Sequence, residues 1–243
     1  MNAIVLTCDR YRVITHHMIH QYDRLWPDHP FIFRIPYQTL GGTDSDKVRY
    51  IESPESSPDD IPRTVLRLLA DLDDEEWVYW CADDKYPMEL ALDKVERVLS
   101  YAQGSPDVSG LMFCRCRATL DRPDLALYPG ERITPSGDVL LERSGWYQIW
   151  IHQFLRAKVL RHFFSEMSGH IPNAKLMCEQ QFEILKLADH RLYVTKENYA
   201  VFGESTRGGR LTRNCYESLR QTEIALPSRF PRPLRERVTM GKL

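Results

Sequence analysis

In the first half of the chain, short apolar runs alternate with stretches of helical spacing. Residues 3–7 (Ala-Ile-Val-Leu-Thr) are apolar and stop at Cys8-Asp9-Arg10, after which residues 11–26 place apolar groups at helical intervals. Residues 31–35 and 47–51 read as a second and a third strand, the latter after the Gly41-Gly42 loop. Residues 53–60 form a turn-rich stretch in which Asp59 or Asp60 caps a helix. Pro62 lies in its first turn, and the helix reaches about residue 72. Trp77-Val-Tyr-Trp-Cys-Ala82 is apolar without interruption, as expected of a strand covered on both faces, and stops abruptly at Asp83-Asp84. Pro87 is expected to open a helix through residue 98, and residues 108–116 read as a further strand. Strand and helix alternating in this way predict an α/β fold with a mostly parallel central sheet flanked by helices and a site at the carboxyl ends of the strands.

Beyond residue 117 the pattern loosens. Residues 120–137 are rich in Pro, Gly and charge, and 139–142 and 145–151 are strand-like or turn-like. Residues 154–164 and 175–187 have helical spacing, and 191–195 and 199–202 read as the last strands. A division follows into a body, 1–212, and a basic Pro/Arg-containing tail, 213–243, expected to pack poorly on its own.

The 243 residues suit one globular unit, and no apolar run approaches the length of a membrane span. With no basic leader or cleavage pattern at the start, a soluble, cytoplasmic protein is expected. The six cysteines suit reduced, mostly buried thiols. A formal net charge of −2 excludes a wholly basic nucleic-acid binder, and no nucleic-acid partner is expected. The total conceals a division: nine Lys or Arg against four Asp or Glu after residue 203 give +5 there and leave −7 for the rest.

Two features carry candidate chemistry. Asp83 and Asp84 leave a buried strand side by side, which suits a divalent cation or a network of sugar hydroxyls; the bland alternative is that Asp84 caps the following helix. The turn Thr7-Cys8-Asp9-Arg10-Tyr11 lies where an open α/β sheet binds ligands, and its hydroxyl, carboxylate and guanidinium suit a nucleobase or ribose. Neither Gly-x-Gly-x-x-Gly nor a Walker lysine motif is present, so dinucleotide dehydrogenases and P-loop phosphotransferases lose support. His16 and His20 have the i, i+4 spacing of zinc ligands, but His17 stands where the metalloprotease pattern needs Glu; they read as ordinary helix histidines.

Ile4 to Tyr11, then Tyr22-Asp-Arg-Leu-Trp-Pro27, then Ala82-Asp83-Asp84-Lys85-Tyr86 follow an order that resembles GT-A-fold glycosyltransferase-like proteins of bacterial surface-polysaccharide biosynthesis. Gln148-Ile-Trp150, Phe182-Glu183 and the run from Tyr199 to Leu211 extend the resemblance over most of residues 3–212. It implies a Rossmann-like GT-A domain that binds a nucleotide-sugar donor near Thr7, Cys8, Asp9, Arg10 and Arg63, with Asp83 and Asp84 at the family's Asp-x-Asp position for Mn²⁺ or Mg²⁺. The sequence departs from that motif, because residue 82 is Ala and Lys85, a cation that could face a phosphate, follows directly.

The resemblance also implies a glycan or lipid-linked acceptor. Gln148, Trp150 and His152 form an acceptor-side group by analogy, although a Trp here also suits a core. An inverting transfer needs a general base, for which Glu183 and Glu179, on one face of a helix, are candidates; the alternative is surface ion pairing. Arg207-Gly-Gly-Arg210 has the composition of a loop that closes over a diphosphate, or of a solvated turn. The arginines from 220 to 237 suit peripheral contact with an anionic membrane surface or an interface with a second copy of the chain. Two rivals remain: a non-catalytic binding relative, favoured by Ala82, and a nucleotidyltransferase, disfavoured because no glycine-rich basic signature follows the first strand.

Overall fold

In a computed structural model, residues 1–53, 60–115, 127–167, 171, 173–226 and 230–243 are described. The chain forms the expected α/β fold around a nine-stranded sheet. Its strands are β1 (Asn2–Leu6), β2 (Ile32–Tyr37), β3 (Val48–Glu52), β4 (Trp77–Ala82), β6 (Gly110–Met112), β7 (Gly130–Ile133), β8 (Val139–Glu142), β9 (Gln153–Arg156) and β10 (Leu192–Thr195), in the order β3-β2-β1-β4-β9-β6-β10-β8-β7. Seven strands share one direction; β9 and β8 run against them. The chain leaves β1 toward β2 and β3 and returns to β4 on the other side, so the border between β1 and β4 is a topological switch point.

Alternation along the central strands explains their unbroken apolar character. Ala3, Val5, Tyr79 and Cys81 enter one core with α1 (Arg12–Leu25) and α3 (Leu92–Gln103). Ile4, Val78 and Trp80 enter another, with α2 (Ile61–Leu68) and α4 (Ala157–Glu166). Both faces are therefore buried. Asp60 caps α2, its side chain accepting from the Arg63 amide, and Pro62 sits in the first turn where no amide donor is needed.

Several expectations are corrected. Pro87 does not open a helix: β5 (Lys85–Leu90) is a strand of a second, three-stranded sheet with β11 (Ala200–Glu204) and β14 (Thr239–Met240), and α3 starts at Leu92. The helix expected over 154–164 begins only at Ala157, because Gln153–Arg156 form β9, inserted between β4 and β6. The helix expected over 175–187 is α5 (Ala174–Gln180) alone. The segment after 212 does not behave as a loose tail. Its α6 (Arg213–Leu219) buries Cys215 and Leu219, and β14 pairs with β11 through Phe202 and Met240. Cys116 and Arg229 lie outside the described residues; Cys8, Cys81, Cys114, Cys178 and Cys215 are not joined in disulfides.

Candidate active site

Leu6 and Ala82 are paired neighbours at the ends of β1 and β4, so Thr7 and Asp83 leave the sheet side by side. The Thr7 hydroxyl donates to Asp83 Oδ2 and shares a 2.7 Å hydrogen bond with Thr15 of α1. Above them lies a cleft of about 300 Å³ lined by Thr7, Cys8, Tyr11, Asp83, Asp84 and Trp150, together with Ile61 and Thr206. Of the residues proposed from the sequence, Thr7, Cys8, Asp83, Asp84 and Trp150 are thus brought together at this cleft.

Desolvation at the cleft floor pushes the Asp83 carboxyl up to about 7; the hydrogen bond from Thr7 opposes the rise and the charge of Asp84 adds to it. Burial, and then the nearby Asp83, also raise the Cys8 thiol, so it is not an activated nucleophile. Asp84 forms an ion pair with Lys85, whose side chain is only 6% exposed. Lys85 stands opposite Glu204 in the β5–β11 pairing, with Nζ 3.8 Å from a Glu204 oxygen and 5.4 Å from the centre of the Trp150 ring. Desolvation, with the charge of Asp84, raises the Glu204 carboxyl above its ordinary value despite that lysine. Lys85, expected to face a phosphate, does not line the cleft and instead rests on Asp84 and Glu204. Glu204 was not among the expected site residues, because the cross-strand pairing joins positions far apart in the chain.

The turn holding this floor is supported from below. The His152 Nε2 donates to the Ala82 carbonyl at 2.9 Å; because a carbonyl only accepts, Nδ1 is the unprotonated nitrogen and accepts from Tyr22 at 2.7 Å. Tyr79 in turn donates to Tyr22 at 2.6 Å. Burial lowers the His152 pKa to about 3, which keeps the ring neutral. His152 therefore acts as a core strut and not as an acceptor contact. The Trp80 indole donates to the Ile149 carbonyl and fixes the segment that carries Trp150 into the cleft. Gln148, with φ at +63°, is buried in that same turn.

The remaining candidates lie elsewhere. Asp9 accepts from the Thr39 amide at 2.8 Å, the Leu40 amide at 2.9 Å, the Gln38 amide at 3.3 Å, the Thr39 hydroxyl at 3.1 Å and Arg12 at 2.8 Å. Partial burial opposes ionisation, but these bonds hold its pKa below the ordinary value. Its capacity is used in tying the loop after β2 to the first turn, and it does not line the cleft. Arg10 lines a smaller cavity with Tyr11 and Gly209. Arg63 is exposed and pairs with Asp60 at 3.1 Å.

Arg207 and Arg210 flank a hairpin of β12 (Thr206–Arg207) and β13 (Arg210–Leu211), whose turn places Gly208 and Gly209 at φ +57° and +73°. Arg207 pairs with Glu236 at 3.3 Å, and Arg210 donates to the carbonyls of Arg232 and Pro233. Arg10, Arg63 and Arg207 are each within two residues of a cleft-lining residue in sequence, but none of the three lines the cleft. Glu183 falls in the turns after α5, so it shares no helix face with Glu179. Both are exposed, neither lines the cleft, and Glu179 pairs with Lys175 at 3.7 Å.

Mn²⁺ or Mg²⁺ would need oxygens of Asp83 and Asp84. Thr7 already donates to the first, and an ammonium rests on the second. A dication on Asp84 would lie beside that ammonium and be repelled by it. Among the described residues no group of three or more His, Cys, Asp or Glu is placed to hold a metal. The residues present do not fit a resident divalent cation.

No known family's sequence profile matches the chain, and no curated protein matches it in sequence. Among solved structures, it is similar to the galactosyltransferase LgtC in complex with donor and acceptor sugar analogs, at 12% identity over 78% of this chain and 68% of that one, with a TM-score of 0.41. It is similar to S. aureus TarS 1-349 at 13% identity over 82% of this chain, TM-score 0.48, and spans 59% of that structure, less than two thirds. It is also similar to the 2-C-methyl-D-erythritol 4-phosphate cytidylyltransferase IspD of Francisella tularensis at 12% identity over 91% and 99% of the two chains, TM-score 0.44. At such values no residue role passes from these proteins to this chain, and every role above rests on its own geometry.

Proposed function

We propose that this cleft transfers a glycosyl group from a nucleoside-diphosphate sugar to a hydroxyl of a glycan or lipid-linked acceptor. The observation that carries the reading is the Thr7–Asp83 bond across the β1–β4 switch point, in a cleft that also presents Asp84, Tyr11 and Trp150. Carboxylates accept hydrogen bonds from sugar hydroxyls, and flat aromatic faces suit sugar rings and bases. In place of Glu183, Asp83 is the residue to take the acceptor proton in an inverting transfer. It lines the cleft, and a carboxyl raised to about 7 is matched to proton transfer near neutral pH. The loop after β1 forms a single 3-10 turn, Asp9–Tyr11, and offers no glycine-rich cradle for a triphosphate, which weighs against nucleotidyl transfer.

The test is a melting-temperature panel with uridine, guanosine, cytidine, adenosine and thymidine diphosphates. One of them is expected to stabilise the protein, by about 2.7 kcal/mol at a hundredfold excess over its dissociation constant. Absence of any shift across the panel rejects the reading.

A further inference from the structure

We propose that the Lys85 side chain occupies the place of a divalent cation, so that the cleft binds its phosphate-bearing ligand without a resident metal. Lys85 is the first residue of β5, directly after the acidic pair, and it is buried. Strand pairing sets it opposite Glu204, the sequence sets it beside Asp84, and Trp150 presents its ring face to the ammonium. Three separate elements thus surround one positive charge with two carboxylates and an aromatic face. An exposed lysine could swing away to admit an ion, but this one is only 4% exposed.

Lys85 does not itself line the cleft. It is a positioning residue: it holds Asp84, which does line the cleft, as an ion-paired acceptor. For the ligand this rests on the glycosyl-transfer reading; for the ion it rests on the geometry around Lys85 alone.

The experiment measures Mn²⁺ uptake from the loss of the free-ion electron paramagnetic resonance signal, together with melting temperature. The proteins are the wild type, Lys85→Met and Lys85→Gln, the methionine keeping the length of the buried stem. Wild type is expected to bind Mn²⁺ no more tightly than about 1 mM and to melt at the same temperature in chelator and in Mn²⁺. Either variant, with Asp84 and Glu204 freed of their counter-ion, is expected to take up Mn²⁺ at least about tenfold more tightly. Stoichiometric Mn²⁺ binding by wild type overturns the proposal, and so does a folded variant that gains no Mn²⁺ affinity. The wild-type arm decides the question even where both variants fail to fold.

The nucleoside diphosphate that stabilises wild type should do so equally in chelator and in Mn²⁺. Tightening of about tenfold or more on adding metal counts against the Lys85 assignment while leaving glycosyl transfer standing. Failure of every diphosphate in both conditions removes glycosyl transfer, with the Mn²⁺ titration of wild type still deciding the role of Lys85.

Discussion

Asp83→Asn should make the protein more stable and less active, and the gain should depend on pH. The carboxyl is lifted from an ordinary 3.8 to about 7, chiefly by desolvation. The unfolded chain releases this proton near pH 4 and the folded chain holds it to about pH 7. Between those values the folded state binds more protons, so stability falls as pH rises and then levels off. At about 1.4 kcal/mol per pH unit, the full difference is about 4 kcal/mol, an upper figure because the cleft can admit water when the group ionises. Asparagine keeps an acceptor for the Thr7 hydroxyl and carries no charge. Urea denaturation from about pH 4 to about pH 8 should show wild type and variant converging at the acid end, and the variant ahead by up to about 4 kcal/mol above neutrality. Glycosyl transfer should be lost in the same variant, and in wild type it should rise through about pH 7. A difference in stability that does not change with pH, or a variant less stable than wild type at about pH 8, would refute the assignment.

Tyr22→Phe should destabilise more than Tyr79→Phe: it strands both the His152 Nδ1 acceptor and the Tyr79 hydroxyl, whereas losing the Tyr79 hydroxyl leaves Tyr22 still donating to His152. The cost for each stranded group is about 1–3 kcal/mol by denaturant titration. Asp9→Ala should lower stability by about 1–3 kcal/mol by releasing the 38–40 amides, with little change in nucleotide affinity; the reverse pattern would return Asp9 to the ligand. Glu183→Gln and Glu179→Gln should leave initial transfer rates unchanged, since both side chains are exposed outside the cleft.

β1 and β4 could be read from the sequence because both faces of each are buried, which forces unbroken apolar runs, and the acidic pair marks where burial ends. Pro87 misled for a definite reason. Proline suits a first helical turn, but here it sits in β5 opposite Phe202, where the β5–β11 register shifts between Val201 and Phe202 and the missing amide is tolerated. Asp9 was placed on the correct turn, but nothing local shows that amides thirty residues away take up its oxygens. Lys85 and Glu204 illustrate the same limit, since their meeting depends on the pairing of two distant strands. Glu179 and Glu183 failed through element length: four residues apart on a long helix they share a face, but α5 ends at Gln180.

The charge asymmetry of the chain acquires a spatial meaning at Ser205, and with it a last prediction. The Ser205 amide donates to the Asp84 carbonyl at 2.6 Å and its hydroxyl to the Asp83 carbonyl at 3.3 Å, and the residue is fully buried. The basic end of the chain is therefore fastened to the acidic turn, and Thr206, the next residue, forms part of the cleft wall. A flap that closes over a ligand must break and remake such bonds, and its amides exchange with solvent through low-energy openings. The hairpin from Thr206 to Leu211 has paired strands, a turn with two positive-φ glycines that suit it without strain, and the Thr212 amide bonded to the Ser205 carbonyl at 3.0 Å. Hydrogen exchange at the Ser205 and Thr212 amides should consequently be as slow as in β4 and unaffected by the nucleoside diphosphate. Fast exchange in the free protein that slows on ligand binding would show instead that the hairpin is a closing flap, with Arg207 moving onto the ligand.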